Sequence, residues 1–124
     1  LAGEREPGAH RGIDAPRIRA HIRARRQRER FFAPSLFADP AWDILLDLAA
    51  ARLEGRLVSV SSLCIAAAVP TTTALRWVKN LLDMGLLVRS DDPADARRAF
   101  ITMAPATAAT MDRCLEAVFN TPGL

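Results

Sequence analysis

The stretch SVSSLCIAAAVPTTTALRWVKNLLDMGLL, residues 59–87, decides the fold of this chain. Ser59 can cap a short apolar helix, and Pro70 ends that helix because the residue before a proline is disfavoured in the helical region. A second helix follows at once and ends at Gly85. Its apolar residues recur at helical spacing: Ala74, Val78, Leu81 and Leu82. Two short helices joined by a tight turn predict a helix-turn-helix over residues 59–84.

The hydrophobic pattern changes after the second helix. Two short runs, residues 86–89 and 98–103, predict β-strands, and the polar sequence SDDPADA between them predicts a turn. Because two strands alone are marginally stable, this hairpin must pack on the helices. A helix-turn-helix followed by a hairpin is the order of a winged helix-turn-helix, in which residues 86–103 form the wing.

Helices are also predicted on both sides of this unit, which gives a mostly α fold with a small β-hairpin, of the α+β class. Asp39 and Pro40 predict the start of an amphipathic core helix that Gly55 ends. Its apolar side is predicted to face the core: Trp42, Leu45, Leu46, Ala49 and Leu53. Its polar side is predicted to face solvent: Asp43, Asp47, Arg52 and Glu54. A last helix is predicted over residues 105–119.

The N-terminal region is rich in arginine, with eight arginines between positions 11 and 30. Residues 1–15 predict a flexible arm, and residues 16–32 predict a helix at the start of a single domain, residues 16–124. The apolar stripe of this helix is narrow: Ile18, Ile22, Phe31 and Phe32. Such a helix cannot bury a full face in its own domain. It lies across the domain, packs on a partner chain or meets a polyanion.

The composition excludes several classes of protein. A chain of 124 residues that is 50% hydrophobic can form one packed domain, although it does not begin with Met, which is typical of a trimmed fragment. It has no membrane-spanning run and no targeting signal, so we expect a soluble cytoplasmic domain. Two cysteines and two N-terminal histidines do not form a zinc site, so no metal is expected. Since no catalytic set and no glycine-rich phosphate loop occurs, we expect neither an enzyme nor a cofactor.

The charge is unevenly distributed. The net charge is +3, but residues 1–30 hold nine arginines and four acids, whereas residues 31–124 hold eight basic and ten acidic residues. The second helix of the helix-turn-helix has no acid from position 70 to 82, and its outward polar residues include Thr71, Thr72, Thr73, Arg76 and Lys79. Threonine hydroxyls suit phosphate contacts and arginine suits bidentate reading of guanine, which favours DNA binding. The alternative is an ordinary solvated helix face.

From Trp42 to Met111 the sequence resembles the MarR-type winged-helix transcription regulators. The residues that carry the resemblance are the helix AWDILLDL, the helix pair over residues 59–87 and the wing VRSDDPADARRAFITM. The acid-x-Arg pattern of that wing is Asp95-Ala96-Arg97 here. The chain departs from the family at two places: Ala68 stands where a glycine is usual between the helices, and Met103-Ala104 replaces a Leu-Thr.

The resemblance implies roles for individual residues. Arg97 would enter or flank the minor groove, Asp95 would hold it in place, and Arg89 and Arg98 would contact the DNA backbone. Members of the family form homodimers through their N- and C-terminal helices, which here offer Ile18, Ile22, Phe31, Phe32, Met111, Leu115 and Val118. A dimer would bind a pseudo-palindromic site with half-sites about one helical turn apart. A small-molecule effector of unidentified chemistry is consistent with the same resemblance.

We therefore expect a sequence-specific DNA-binding regulator, cytoplasmic and associated with the nucleoid, with double-stranded DNA and a second copy of the chain as partners and no membrane. The alternative is a winged-helix dimerisation or adaptor module that contacts protein and not DNA. Cys64 lies in an apolar helix, a setting that raises the pKa of a thiol and makes it inert. Cys114, beside Arg113, is the more reactive thiol, with an interface or core position as the alternative.

Overall fold

The computed structural model describes residues 13–121, so most of the predicted flexible arm, residues 1–15, lies outside the described residues. Five helices and three strands follow one another in the winged-helix order, which confirms the predicted fold. They are α1 (Ala15–Gln27), α2 (Pro40–Glu54), β1 (Val58–Ser59), α3 (Val60–Ala66), α4 (Thr71–Asp83), β2 (Leu87–Asp92), β3 (Asp95–Met103) and α5 (Pro105–Asn120). Two short 3-10 turns, Arg28–Arg30 and Pro34–Phe37, connect α1 to α2.

Short polar side chains cap the first turns of α2 and α3, as their sequence predicts. The Asp39 carboxylate accepts a hydrogen bond from the Trp42 backbone N–H at the start of α2, and the Ser59 hydroxyl accepts one from Ser62 at the start of α3. Gly55 ends α2 in the left-handed conformation, with φ of 69°. These caps fix the ends of the two helices between which the short strand β1 lies.

The sheet has one strand more than the sequence predicts. All three strands are antiparallel in the order β1-β3-β2, and Val58 of β1 is paired with Ile101 of β3. A two-residue strand is too short to leave a periodic signal, so only its tertiary partner reveals it. The wing hairpin is also longer than predicted, since β2 runs to Asp92 and β3 begins at Asp95.

The core consists of two clusters that share α2. The first lies under the helix-turn-helix and the sheet, and its largest fully buried side chains are Ile44, Leu63 and Ile101. The second joins α1, α2 and α5, and its buried members are Ile18, Leu46, Ala49, Ala50, Met111 and Leu115. Because α2 serves both clusters, it is buried on almost every side.

The prediction that Asp43 and Asp47 face solvent is wrong. Their exposed fractions are 3% and 8%, because α1 lies across this side of α2. Both Arg25 and Arg26 contact the Asp43 carboxylate, at 2.8 and 3.0 Å. Of the three alternatives for the arginine-rich helix, the structure shows the one in which it lies across its own domain. Ion pairs with α2 compensate the narrow apolar stripe of α1.

Arg19 forms a second ionic contact between the same two helices. Its guanidinium donates to the Asp47 carboxylate at 2.6 Å and, through two nitrogens, to the Glu54 carboxylate at 3.2 and 2.9 Å. These hydrogen bonds lower the pKa of Glu54 to about 2. Several arginines of α1 are therefore already neutralised by acids of α2, and they add less to the surface charge than the sequence indicates.

The helix predicted over residues 16–32 ends earlier, at Gln27. The chain passes through a 3-10 turn and leaves helical geometry before Pro34, which cannot continue a helix from the residue before it. Phe31 and Phe32 therefore lie outside α1 and are largely exposed, at 77% and 56%. The Phe32 ring packs edge-on against Phe37, with centroids 5.7 Å apart.

Ala68 occupies the turn between α3 and α4 with a φ of +57°, in the left-handed region that favours glycine. Replacing Ala68 with Gly is expected to stabilise the protein by about 0.5–1 kcal/mol, because the relief of backbone strain exceeds the greater entropy of the unfolded chain. Thermal melting measures the change. The same substitution at Ala109, an exposed position inside α5, should destabilise by about 1 kcal/mol. A destabilised Ala68→Gly variant would contradict the strain argument.

Candidate nucleic-acid interface

Helix α4 separates an apolar inner face from a polar outer face. Ala74, Val78 and Leu81 are buried against the first core cluster, as predicted. On the other side Thr71, Thr72, Arg76 and Lys79 are exposed, and Thr73 is half-buried. The first turn of α4 contains no acid, so its free backbone N–H groups and threonine hydroxyls are positioned where an anionic group is favoured.

The two cations of this outer face differ in their surroundings. Lys79 donates from Nζ to the Asp83 carboxylate at 2.7 Å, one turn further along α4. Within the described part of the chain, Arg76 contacts no carboxylate. The acid-free stretch of the sequence ends just before Asp83. Lys79 and Asp83 are four residues apart, a spacing that places both side chains on the same face of the helix. Arg76 is therefore the less neutralised cation of α4.

The wing carries Arg97 outside the strand pairing. Asp91 is paired with Ala99, but the next pair is Asp92 with Asp95, so residues 96–98 have no place in the ladder. Such a bulge turns side chains away from the regular pleat. The sequence does not predict this bulge, because nothing in the alternation of the two strands marks it.

The Asp95 carboxylate holds the base of the Arg97 side chain. One oxygen accepts from the Arg97 backbone N–H at 3.0 Å and from its Nε at 3.3 Å. The Arg97 side chain as a whole remains 92% exposed. An exposed ion pair of this kind adds little stability, so its main effect is to orient the guanidinium.

Arg89 lies on the paired part of β2, whereas Arg98, like Arg97, belongs to the unpaired residues 96–98 of β3. The Arg98 guanidinium is 5.5 Å from the centroid of the Phe100 ring, and Arg89 approaches the Asp91 carboxylate to 3.7 Å. Both side chains are exposed, and Arg89 has an acid beside it that reduces its local charge. The Arg97 side chain, 92% exposed, is more accessible than that of Arg89, which is 60% exposed.

A groove of about 630 Å³ lies between α3, the start of α4 and the wing. It is lined by Ser59, Val60, Ser61, Cys64, Ile65, Val69, Thr71, Leu75, Arg97, Arg98 and Ala99. None of these lining residues is acidic. The groove brings together the start of α4 and the wing arginines Arg97 and Arg98, which are separated by more than twenty residues in the sequence. It also contains Ile65 and Leu75, two apolar residues that the sequence pattern does not mark as part of the interface.

Similar arrangements occur in solved transcription regulators. An S. aureus MepR–DNA complex matches at 17% identity with a TM-score of 0.57, over 85% of this chain and 81% of that one. A MarR mutant from E. coli also has 17% sequence identity and a TM-score of 0.57, and the match covers 90% of this chain and 80% of that one. A probable transcriptional regulator from Pseudomonas aeruginosa has 26% sequence identity and a TM-score of 0.54, and the match covers 79% of this chain and 74% of that one. The chain has the MarR-type winged-helix fold.

The likeness is one of structure. No family model matches the chain, and no curated protein matches its sequence. The match covers 56% of the length of one mutant MepR from S. aureus and 90% of heme-free PefR. The MarR-type fold accounts for the wing and the helix pair. At these low sequence identities it does not assign roles to individual residues.

The residues predicted to form a dimer interface fall into two groups. Ile18, Met111 and Leu115 are buried in the second core cluster of the single chain, so they are not available on its surface. They are buried because α1 folds back on α2 and α5 of its own domain. Ile22 is half-buried, whereas Phe31, Phe32 and Val118 are exposed. Only the second group offers surface to a second copy of the MarR-type domain.

The two cysteines are placed differently. Cys64 is 6% exposed, and burial raises the pKa of its thiol. Cys114 is exposed on α5, so it is not a core residue of the single chain. We expect a disulfide reagent such as dithionitrobenzoate to titrate one thiol rapidly in the folded protein and two in urea. A Cys114→Ser variant should lose the rapid phase. Two rapid phases in the native wild-type protein would contradict this assignment.

None of the helices among residues 13–121 is both long and apolar enough to cross a membrane. This finding applies to the described helices alone.

Proposed function

We propose that this protein is a DNA-binding transcription regulator that inserts α4 into the major groove and places Arg97 in or near the minor groove. The observation that carries the proposal is the groove between α3, α4 and the wing, where the start of α4 meets two wing arginines without any acidic lining residue. A polyanion is the partner that such a surface favours. DNA is present with S. aureus MepR, which shares the fold.

The residues have separate roles in this proposal. Arg76 reads base edges, because it is exposed on α4 without a carboxylate partner and arginine can bind guanine through two hydrogen bonds. Thr72 assists it at the same face. The hydroxyls of Thr71 and Thr73 and the charges of Lys79, Arg89 and Arg98 contact phosphates, and Asp95 orients Arg97. A narrow minor groove has a deepened negative potential, which favours an inserted arginine.

The protein is proposed to act as a homodimer on a pseudo-palindromic site. One recognition helix presents only three or four side chains to base edges, so two helices related by a two-fold axis read a longer site. Phe31, Phe32 and Val118 are exposed apolar residues that a second copy would cover. The proposal includes a small-molecule effector, whose chemistry it does not assign. Heme is bound by the heme sensor PefR, which has a similar structure. The protein would work in the cytoplasm, on the nucleoid, and not as an enzyme.

The test is a binding titration on random-sequence duplex DNA and on duplexes selected from a random pool, at two salt concentrations. The protein should bind selected duplexes more tightly, and binding should weaken steeply with salt because counterions are released from the phosphates. Arg76→Ala should relax specificity and cost about 1–3 kcal/mol of binding free energy. Arg97→Ala should weaken binding to all sequences and reduce the salt slope by about one.

Arg113→Ala is the matched control for these variants. Arg113 is an exposed arginine on α5, and it lies outside the groove. Its loss should leave affinity and salt slope unchanged. If a folded protein prefers no sequence, or if Arg113→Ala weakens binding as much as Arg97→Ala, the proposed DNA-binding face is wrong.

A second function, a protein-contact module without DNA binding, is favoured by one observation. Phe31, Phe32, Leu36 and Phe37 are exposed apolar residues of the segment between α1 and α2, and the rings of Phe32 and Phe37 pack together. Exposed apolar surface is typical of protein contacts. Replacing Phe31 and Phe32 with Ser separates the two functions. If the protein is a regulator, the substituted variant should lose dimerisation and the selective DNA binding that depends on it. If it is an adaptor, the wild-type protein itself would show no selective DNA binding.

A further inference from the structure

Two large apolar side chains face the groove that we propose for DNA. Ile65 on α3 is 82% exposed, and Leu75 on α4 is 45% exposed. Leu75 lies one helical turn after Thr71, and both line the same groove as Ile65. Neither apolar residue is needed by the core, whose positions on α4 are Ala74, Val78 and Leu81. Their exposure in the absence of DNA is unfavourable, so a bound partner that covers them is favoured.

The charge around these side chains determines what kind of partner can cover them. Arg97 and Arg98 line the groove, and no acidic residue lines it. Arg76, next to Leu75 in the chain, has no carboxylate partner among the described residues. An apolar partner with its own positive charge is therefore disfavoured. A partner that combines a polyanionic backbone with small apolar groups is favoured on this surface.

The major groove of DNA has this combination. Its edges present hydrogen-bonding groups at every base pair, and the thymine 5-methyl group is the apolar feature among them. Since α4 is the helix that enters the major groove in the proposed function, its outward apolar residue faces base edges and not phosphates.

We propose that Leu75, with Ile65 beside it, contacts thymine 5-methyl groups, so that the protein selects sites with thymine at the bases that face this part of α4. The inference rests on the proposed function and adds the base that the apolar residues select. Arg76 recognises guanine by hydrogen bonds. Leu75 recognises thymine because its side chain and the 5-methyl group cover each other from water. Neighbouring positions of one helix then have different base preferences.

The test uses a duplex that the protein binds selectively, prepared either with thymine or with uracil throughout. Uracil keeps the pairing of thymine and lacks only the 5-methyl group. Covering one methyl group contributes a factor of about 4 in affinity, so Kd should rise about 4-fold on the uracil duplex for each methyl group contacted. Titrations at low salt keep weakened variants within the measurable range.

Leu75→Ala separates contact with the methyl group from other effects of uracil on the duplex. In this variant the ratio of the two Kd values should fall towards one, and Ile65→Ala should reduce it in part. Leu53→Ala is the matched control, because Leu53 on α2 is 44% exposed and lies outside the groove. It should keep the wild-type ratio.

The outcomes distinguish this inference from the proposed function. If selective binding is present but the wild-type protein binds both duplexes equally, the thymine contact is wrong and the regulator stands. A uracil effect of the same size in wild type and Leu75→Ala overturns the contact as well, since the effect then comes from the duplex. If no duplex is bound selectively, both proposals fail. Melting curves of both groove variants should match the wild type, because both side chains are exposed.

Discussion

Replacing Asp43 with Asn is expected to lower the free energy of unfolding by about 3 kcal/mol, although the side chain keeps its shape. The Asp43 carboxylate is buried and accepts from both Arg25 and Arg26. An amide carries no charge, and its NH2 group cannot accept from a guanidinium. Arg25 would then remain partly buried beside α2 without a counter-charge, and Arg26 would keep only its ion pair with Glu29 at 3.1 Å. The Arg25 Nη2 atom is already buried without a hydrogen-bond partner, so no hydrogen bond at this atom offsets the loss of the one to Asp43.

Urea denaturation of the wild type and of Asp43→Asn measures this loss. Asp91→Asn is the control, because Asp91 is exposed and its ion pair with Arg89 on the wing is long, at 3.7 Å. Its loss should change stability by less than about 0.5 kcal/mol. If both substitutions have equally small effects, α1 is not held on α2 by its charges. A large loss for Asp43→Asn also predicts that α1 becomes accessible to proteases first.

Replacing Ile18 with Ala is expected to cost about 3 kcal/mol, and the cost should not depend on protein concentration. Ile18 is fully buried in the cluster that α1 forms with α2 and α5 of the same chain. Removing three carbon atoms there leaves a cavity that helices held by ion pairs cannot easily close. An interface residue would behave differently, since the stability of a dimer rises with concentration.

Denaturation at protein concentrations a hundredfold apart separates these two cases. Phe31→Ala is the comparison variant, because Phe31 is 77% exposed and is predicted to contact a second copy. It should leave the stability of the single chain nearly unchanged and weaken self-association. If the effect of Ile18→Ala shrinks as the protein is diluted and the dimer dissociates, α1 packs on the partner chain and the intrachain arrangement is wrong in solution.

Much of the fold could be predicted because its signals are local. A proline after Val69, a capping serine and apolar residues at helical spacing define α3 and α4 without reference to any distant residue. The same holds for Asp39, Pro40 and Gly55 at the ends of α2. On the candidate site, the exposure of Thr71, Thr72, Arg76 and Lys79 follows from the buried face of α4. The ion pair of Asp95 with Arg97 was also anticipated, although its role in binding DNA stays a prediction.

The errors share a cause. Asp43 and Asp47 occupy positions that a helical wheel assigns to solvent, but the wheel contains no information about a second charged helix that covers them. Ile18 and Leu115 were predicted to contact a partner chain, and the single chain already buries them, while their role in a dimer stays a prediction. In both cases the outcome depends on whether α1 folds back on α2, which is decided by contacts between residues far apart in sequence.

The sequence by itself determined the order of the helices and strands and the polar face of α4, because caps, helix breakers and hydrophobic periodicity act within a few residues. Only the tertiary structure decided that Arg19, Arg25 and Arg26 neutralise acids of α2. It also decided that Leu75 shares a groove with Arg97. Burial, ion pairing and the lining of a groove are properties of elements that meet in space, so they depend on the packing of the whole domain.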